Sequence, residues 1–385
     1  MMADDIIGAP GDAASGRARA RDLGITIGRL ATGARNAITD VLGVRVGHST
    51  LIAGEGPLVV GRGPVRTGVT VILPHAENVG DDPVFAGAHV LNGNGEMTGL
   101  PWLVESGMLT TPVALTNTHS VGVVRDALIA YDVARTGGQR TDGPPAQAWS
   151  LPVVAETWDG VLSDINGQHV RAEHVAAALD AASDGPVAEG NVGGGTGMIY
   201  HGFKGGIGTA SRLVPTAGGA WTVGALAQAN HGQRALLRVD GVAVGRAIGP
   251  DEVPTPDMTV PPGGGSIIVV LATDAPLLPG QCRRLAQRAT IGVARAGGLG
   301  ENSSGDIFLA FSTANRGLTA PPAHEAAITV RMLPHEALTP LFEAAADATE
   351  EAIVNALCAA ATMTGVDGRT AYALPLDRLQ AAMRR

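Results

Sequence analysis

Lysine, cysteine and aromatic residues are scarce in this sequence, and the first two scarcities exclude classes of function. Lys204 is the only lysine among 385 residues, and the formal net charge is −9. No arginine cluster is dense enough to follow a phosphate backbone, so we expect no nucleic-acid partner. Cys282 and Cys358 are the only cysteines. Two such distant cysteines indicate neither a disulfide framework nor a zinc site, so we expect reduced, buried thiols, no metal and no other cofactor.

Long apolar runs are absent as well. No uninterrupted run approaches the roughly 18 apolar residues of a membrane-spanning helix, so no membrane partner is expected. The first twenty residues are small, polar and of mixed charge, without the apolar stretch of a secretory signal. We therefore predict a cytoplasmic protein whose residues 1–24 form a loose, disordered tail and whose residues 25–385 form one domain.

Small and branched apolar residues are abundant: 45% of the residues are hydrophobic but only 3% aromatic, with 54 glycines and 24 prolines. The core must therefore consist mainly of Ala, Val, Leu and Ile, and the chain must turn often. Short β-branched runs bounded by glycine predict strands, and apolar residues at helical spacing predict helices. The predicted strands are 41–46, 58–60, 69–73, 151–156, 221–229 and a pair within 235–248; the predicted helices are 121–135 and 170–182.

Residues 266–273 form a continuous apolar run, which predicts a strand covered on both faces. A helix at 282–296 and strands at 306–312 and 327–333 follow. The last long helix is expected to begin at Thr339, as a side-chain cap before Pro340, and to end near Gly365. This order of elements predicts an α/β fold of mixed sheets covered by helices.

The connector 249–265 is rich in proline and glycine and runs directly into the buried strand at Ser266. An ordinary loop would explain it. A second explanation is chemical: glycines let the backbone distort, and the Ser266 hydroxyl attacks the carbonyl of Gly265. Hydrolysis of the resulting ester leaves Ser266 as a new N-terminus. Its α-amino group, with an ordinary pKa of about 7.7–8.0, can then serve as the base for its own hydroxyl.

Several motifs occur in an order that resembles one enzyme family. They are Asn36 to Val41, Leu91 to Gly99, Asn191 to Met198, His201 to Thr209, Gln228 to Gly232, Gly265-Ser266 and Ser304 to Phe308. Together they are similar to the DmpA-type aminopeptidases, the L-aminopeptidase D-amidase/D-esterases, which are relatives of the β-peptidyl aminopeptidases. The resemblance spans roughly residues 30–375.

This resemblance implies an αββα-type sandwich, like that of the ornithine acetyltransferases, and a self-cleaving serine aminopeptidase. Its substrates would be short peptides, amides or esters with a free amine. Cleavage between Gly265 and Ser266 would give chains 1–265 and 266–385. The family also implies a homo-oligomer, often a tetramer.

Residue by residue, the resemblance assigns catalytic roles to four side chains. Ser266 matches the nucleophile, and Asn230 matches a donor to the oxyanion of the tetrahedral intermediate. Ser304 and Asp306 match the serine and the acid that assist the nucleophile. Chemically, Ser304 can hydrogen-bond the α-amine, and Asp306 can favour its protonated form.

Glu156 matches the acid that binds the free amino group of the substrate. Two residues later the sequence departs from the family, because Trp158 stands where a tyrosine is usual. Indole offers one N–H donor and no acceptor, and it is larger, so we expect a changed pocket rather than a changed reaction. The polar side chains of Asn92, Asn94 and Glu96 are further candidates for lining the pocket.

Four other classes of function are alternatives to this interpretation. A nucleotide-binding protein is disfavoured because Gly193 to Gly197 is not followed by Lys-Ser/Thr and gives no G-x-G-x-x-G after a strand. A metal hydrolase is disfavoured because the histidines form no metal-binding spacing. A non-catalytic relative of the same fold remains an alternative, against which the retained Ser266 argues. An acyltransferase of the ornithine acetyltransferase type would use threonine as its nucleophile.

Overall fold

The computed structural model describes residues 17–137, 149–256, 265–319 and 327–384. Its strands are β1 (Arg45–Ala53), β2 (Val65–Leu73), β3 (Val84–Gly93), β4 (Met108–Leu109), β5 (Val113–Asn117), β6 (Val153–Thr157), β7 (Ile199–Tyr200), β8 (Phe203–Lys204), β9 (Gly206–Thr216), β10 (Gly219–Asn230), β11 (Gly265–Thr273), β12 (Ser304–Ser312), β13 (Met363–Thr364) and β14 (Thr370–Ala371). Its α-helices are α1 (Leu100–Ser106), α2 (Val121–Thr136), α3 (Ala172–Asp180), α4 (Val244–Ala247), α5 (Pro279–Arg295), α6 (Thr339–Ala359) and α7 (Leu376–Met383).

The longer strands form two sheets. One has four strands in the order β1-β2-β5-β6, and the other has six in the order β4-β3-β12-β11-β10-β9. Within the larger sheet, β11 pairs in parallel with β12, whereas β11 with β10 and β12 with β3 are antiparallel. The strand that begins at Gly265 therefore lies in the interior of the larger sheet.

Side-chain alternation along β11 explains the continuous apolar run in the sequence. Ile267, Val269 and Leu271 pack with residues of α5 and α6, such as Leu285 and Leu357. Since successive side chains of a strand point to opposite faces, the residues between them face the smaller sheet. They pack with residues of β2 and β5 there.

The outer face of the smaller sheet is covered by α2 and α3. Val69 and Val71 of β2 pack there with Val124 of α2 and Val175 of α3. The molecule thus has four layers: helices, sheet, sheet, helices. The predicted α/β sandwich of mixed sheets between helices is confirmed.

Three predicted elements are wrong. Residues 235–248 form short helical turns and α4 instead of a strand pair. The buried guanidinium of Arg234 organises this region, donating to the carbonyls of His201 and Val253, both at 2.9 Å. Residues 58–60 form a turn closed by one bridge between Val59 and Gly63. Residues 327–333 have no strand partner within the described chain, and the amide of Asn315 bonds their backbone at Arg331 instead.

Further predicted boundaries also change. The strand predicted at 41–46 begins only at Arg45 and continues to Ala53. Helix α6 ends at Ala359 rather than near Gly365, and Thr339 makes no side-chain cap. The N-terminal boundary lies earlier than residue 25. Residues 1–16 are outside the described chain, but Arg17 donates to the carbonyl of Cys358 at 2.9 Å, and Arg21 pairs with Glu351 at 2.8 Å. These partners lie more than 300 residues away along the chain, so local sequence could not indicate them.

Cys282 and Cys358 are both buried and free of disulfide bonds, as expected. No helix of the described residues has both the length and the apolar character needed to span a bilayer.

Candidate active site

The pairing of β10 with β11 brings Asn230 directly opposite Ser266. Residues opposite each other in an antiparallel pair have Cβ atoms about 4.5–5.5 Å apart. Ser266 precedes Ile268 by two residues, and Ile268 packs in the layer between the sheets. Strand alternation therefore directs Ser266 and Asn230 toward the smaller sheet, at the end of the inter-sheet layer.

Ser266 is nearly buried, with 5% of its surface exposed. Its Oγ accepts a hydrogen bond from the backbone N–H of Gly305 at 3.1 Å. The parallel register of β11 and β12 places Gly305 opposite Ser266 and so produces this contact. The bond occupies a lone pair of the hydroxyl oxygen and leaves its proton free for transfer to a base.

Gly265 has a backbone conformation that other residues rarely adopt, with φ at +143°. A Cβ at this position would lie 2.1 Å from the carbonyl oxygen of Asn230. The strand can therefore begin against β10 only with glycine before the serine.

Ser304 and Asp306 lie on β12, opposite Gly265 and Ile267. The Ser304 Oγ donates to Asp306 Oδ1 at 2.6 Å, and both residues are buried. Burial raises the pKa of Asp306 to about 6, although the Ser304 hydroxyl and the Ile267 backbone N–H oppose the shift. The two side chains form one hydrogen-bonded unit on the strand beside Ser266.

Glu156, in β6, is buried, and its two carboxylate oxygens have different partners. Oε1 accepts from the backbone N–H of Glu96 at 3.0 Å, and Oε2 accepts from the Thr118 hydroxyl. Burial raises the pKa of Glu156, and these two hydrogen bonds oppose the rise. Neither donor is a cation. The carboxylate is thus oriented but its charge is not neutralised, which suits a ligand ammonium group.

One cavity of about 570 Å³ joins these groups. Its walls include seven of the predicted site residues: Gly265, Ser266, Asn230, Glu156, Trp158, Asn94 and Glu96. Ser304 and Asp306 lie beside this wall rather than in it. The structure therefore brings together predicted site residues that are far apart in the sequence, from Asn94 to Ser266.

Asn92 is not among the residues that line this cavity, and its role in substrate binding stays a prediction. Its Nδ2 donates to the carbonyls of Glu301, at 2.9 Å, and of Ser304. Asn94 makes a similar bond to the carbonyl of Ser303 at 2.8 Å, although it also reaches the cavity. Asn92 is thus a brace that holds the turn before β12.

The amide of Asn230 is held at both ends. Its Oδ1 accepts from the backbone N–H of Ile199 at 2.7 Å, and its Nδ2 donates to the carbonyl of Trp158 at 2.8 Å. An amide NH₂ has two hydrogens, so one remains for a ligand in the cavity. Trp158 contributes its carbonyl here, while its ring packs with Val161 and Ile199 as an apolar wall.

Sequence reasoning missed three residues that contact the site: Gly305, Thr118 and Ile199. Gly305 stands within the Ser304-Gly305-Asp306 motif, where the motif itself could have indicated it. Ile199 acts through its backbone N–H, and Thr118 acts through a hydroxyl that folding brings to Glu156. No sequence pattern points to them.

Nothing in this site calls for a metal. Among the residues that the structure describes, no group of three or more His, Cys, Asp or Glu side chains is placed to hold a metal ion. The chemistry that the described groups can supply is that of a hydroxyl, a hydrogen-bonded acid, an amide donor and a buried carboxylate.

The sequence matches peptidase family S58 over residues 36–371. It is 51% identical over 378 residues to the β-peptidyl aminopeptidase BapA of Sphingosinicella microcystinivorans, covering 95% of this chain and 92% of that protein. The corresponding protein of Sphingosinicella xenopeptidilytica is 45% identical over 379 residues, covering 95% and 91%.

Solved structures give the same result. A β-aminopeptidase of Burkholderia sp. is 54% identical with a TM-score of 0.86, and the match covers 95% of this chain and 98% of that one. The L-aminopeptidase D-Ala-esterase/amidase of Ochrobactrum anthropi is 49% identical with a TM-score of 0.85 and the same coverage. That structure is described as a prototype for the serine aminopeptidases and as a variant of the Ntn hydrolase fold.

Two facing sheets, with a serine near the start of an interior strand, define the class of the N-terminal nucleophile hydrolases. The aminopeptidase activity inferred from the sequence agrees with this class. The chain belongs to peptidase family S58.

Proposed function

We propose that this chain is a self-cleaving serine aminopeptidase, cut between Gly265 and Ser266 into chains 1–265 and 266–385. The observation that carries the proposal is the shared cavity of Ser266 and Glu156. A nearly buried hydroxyl and a carboxylate whose described hydrogen-bond donors are both uncharged line the same space. This arrangement fits a substrate whose free amine precedes the bond to be cut.

In the cut enzyme, the α-amine of Ser266 takes the proton of its own hydroxyl, directly or through water. The Oγ then attacks the substrate carbonyl, and the negative charge that develops on the carbonyl oxygen meets the free Nδ2–H of Asn230. Such a donor typically contributes about 10²–10³ in rate. The ammonium passes its proton to the leaving amine, and water hydrolyses the ester that remains on Ser266.

The pair formed by Ser304 and Asp306 supports this cycle electrostatically. Ser304 lies opposite Gly265 in the register, next to the nitrogen that becomes the α-amine. An ionised Asp306, bonded to the Ser304 hydroxyl at 2.6 Å, favours the ammonium form that follows proton transfer. The turnover thus needs no histidine and no metal.

For the substrate, we propose short peptides and amides whose first residue is a β-amino acid. Two relatives at 51% and 45% identity are described as β-peptidyl aminopeptidases, and a solved relative at 54% identity is described as a β-aminopeptidase. Peptides that begin with an L-amino acid and esters or amides of D-alanine are the second candidates, because a 49% identical enzyme is described as an L-aminopeptidase D-Ala-esterase/amidase. A panel of p-nitroanilides with β-, L- and D-amino acids decides between them; faster hydrolysis of the L-substrates would reject the β-preference.

Cleavage is tested on the purified protein. Denaturing electrophoresis and mass spectrometry should give two chains, the smaller beginning at Ser266. Ser266→Ala should remain one chain without activity, whereas Ser266→Thr tests whether the other hydroxyl nucleophile of related folds can replace serine. An intact junction in fully active wild-type enzyme would refute the proposal.

We also propose a cytoplasmic homo-oligomer, with a tetramer as the specific expectation. The family resemblance supports the assembly. Light scattering after size-exclusion chromatography measures the assembly directly. A particle of one copy, with full activity, would reject it.

A further inference from the structure

Lys204, at the end of β8, is fully buried although no carboxylate holds its ammonium group in the described contacts. Its Nζ instead faces three backbone carbonyls. The distances are 2.8 Å to the oxygen of Met198, 2.8 Å to that of Gly205 and 3.4 Å to that of Gly195. Burying a charged group away from water costs free energy, even when backbone carbonyls hold it, so we expect its contacts to have a functional role.

The three acceptors favour the charged form of this amine. An ammonium group has three N–H donors, whereas a neutral amine has two and would direct a lone pair at a carbonyl oxygen. The carboxyl of Asp159 also favours protonation, while burial lowers the pKa of Lys204 to about 7. The carbonyl cradle therefore opposes the effect of burial on the charge of Lys204.

One of these carbonyls belongs to the peptide unit that orients Asn230. The C=O of Met198 accepts from Lys204, and the N–H of the same peptide unit, at Ile199, donates to Asn230 Oδ1 at 2.7 Å. A cation at the oxygen of an amide polarises it and strengthens the donation by its N–H. Fixing Oδ1 at Ile199 also decides which end of the Asn230 amide presents its hydrogens to the cavity.

We propose that Lys204 is a positioning residue for the oxyanion donor: through the Met198–Ile199 peptide it holds the Asn230 amide with its NH₂ toward Ser266. This inference rests on the oxyanion role proposed for Asn230. Lys204 touches neither the cavity nor the substrate, so it acts on the transition state without contributing to substrate binding.

The first test uses Lys204→Met, which keeps the length and apolar stem of the side chain and removes its donors. We expect kcat to fall about 10–100-fold, within the range for loss of an oxyanion donor, with KM changed less than about twofold. In an Asn230→Ala background, the same substitution should change kcat by less than about twofold. Equal effects in both backgrounds, or a loss confined to KM, would overturn the proposal.

Arg212→Met is the matched control. Arg212, on β9, is another fully buried cation, which is paired with Glu351 at 2.5 Å and does not line the cavity. Its loss should lower the midpoint of thermal unfolding while leaving kcat of the folded, cut enzyme unchanged. A fall in kcat matching that of Lys204→Met would assign the effect to general destabilisation and reject the inference.

A second measurement needs no variant of Lys204. Because the sequence has one lysine, lysine labelled with ¹³C at Cε gives a single resonance in the wild-type enzyme. A boronic acid with a free amine, which forms a tetrahedral adduct with a serine hydroxyl, should shift this resonance in the wild type but not in Asn230→Ala. If enzyme that was active before inhibition shows no shift when it is saturated with the boronic acid, the proposal is overturned. If the wild type fails to hydrolyse free-amine substrates, the proposed function fails instead.

Discussion

The backbone N–H of Gly305 donates to the Oγ of Ser266 over 3.1 Å, between the parallel strands β11 and β12. The same register sets Ser304 opposite Gly265 and Asp306 opposite Ile267. Three consecutive residues of β12 therefore lie beside Ser266 and its two neighbours in β11. Parallel pairing requires a long crossover, which α5 supplies between the two strands.

Gly305→Ala should disrupt this contact. A Cβ at Gly305 would lie 2.6 Å from the Cα of Gly95 and 2.7 Å from the Asn94 carbonyl oxygen, and both are backbone atoms. We expect a loss of about 1–3 kcal/mol in the free energy of unfolding and at least a tenfold fall in kcat, measured by denaturant titration and p-nitroanilide hydrolysis. Gly122→Ala is the control, since nothing lies within 4 Å of its added Cβ on α2. It should be neutral or stabilising, and an equal loss there would discredit the steric argument.

Glu156→Gln should weaken the binding of free-amine substrates. The substitution keeps the shape and removes the charge, and hydrogen bonds to charged groups contribute about 1.5–3 kcal/mol, so KM should rise about 10–100-fold. Cleavage at Ser266 should be affected much less, since no free amine is bound in the uncut chain. Glu96→Gln, on the exposed rim of the same cavity, should change KM only slightly. Substrates acetylated at the amine should lose the difference between wild type and Glu156→Gln; if they do not, Glu156 is not the amine anchor.

Asp306 should make kcat fall on the acid side of its pH profile. Burial raises the pKa of Asp306 from 3.8 to about 6, and in the proposed mechanism the ionised form assists the reaction, so kcat should rise as the pH passes about 6. Asp306→Asn should remove that inflection and lower the plateau. Profiles of kcat against pH for both enzymes measure this, and an unchanged inflection in the variant would assign it to another group.

The same shift has a consequence of opposite sign for stability. Because the pKa of Asp306 in the folded protein lies above its ordinary value, its contribution is complete below 3.8 and is lost as the pH rises through about 6. The free energy of unfolding of wild type relative to Asp306→Asn should therefore fall between about pH 4 and about pH 7. Urea titrations across this interval measure the difference; a rise would contradict a raised pKa.

Trp158→Tyr should change selectivity more than catalysis. The bond that orients Asn230 goes to the backbone carbonyl of Trp158, so the substitution leaves it in place. The smaller ring enlarges the apolar wall shared with Val161 and Ile199, and bulky first residues should gain in kcat/KM relative to small ones. Trp158→Phe separates volume from the phenol hydroxyl. A uniform loss for all substrates would show that the indole has a role in the reaction itself.

The sequence was most informative where chemistry and periodicity coincide. The run after Ser266 predicted a strand buried on both faces, and β11 packs apolar side chains on both faces. The order of the motifs located Ser266, Asn230 and Glu156, which the fold brings to one cavity. The proposed roles of these residues depend on their side chains, and residue type and motif order can predict such roles.

Contacts that pass through the backbone could not be read in this way. Asn92 has a polar side chain in a motif, yet it braces the carbonyls of the turn before β12. Residues 327–333 alternate like a strand but find no strand partner in the described chain. Lys204 is the single lysine and lies within the motif His201 to Thr209, but its link to Asn230 depends on one peptide unit that only the fold reveals.

In the larger sheet, β11 and β12 lie between β10 and β3, so strands from after Gly265 are inserted among strands from before it. A nick at that residue leaves the backbone ladders on either side of the inserted pair unbroken. The two polypeptides would contribute strands to the same sheet and share one hydrophobic core. Separation would require dismantling the whole assembly, and heat should melt both fragments in one concerted event.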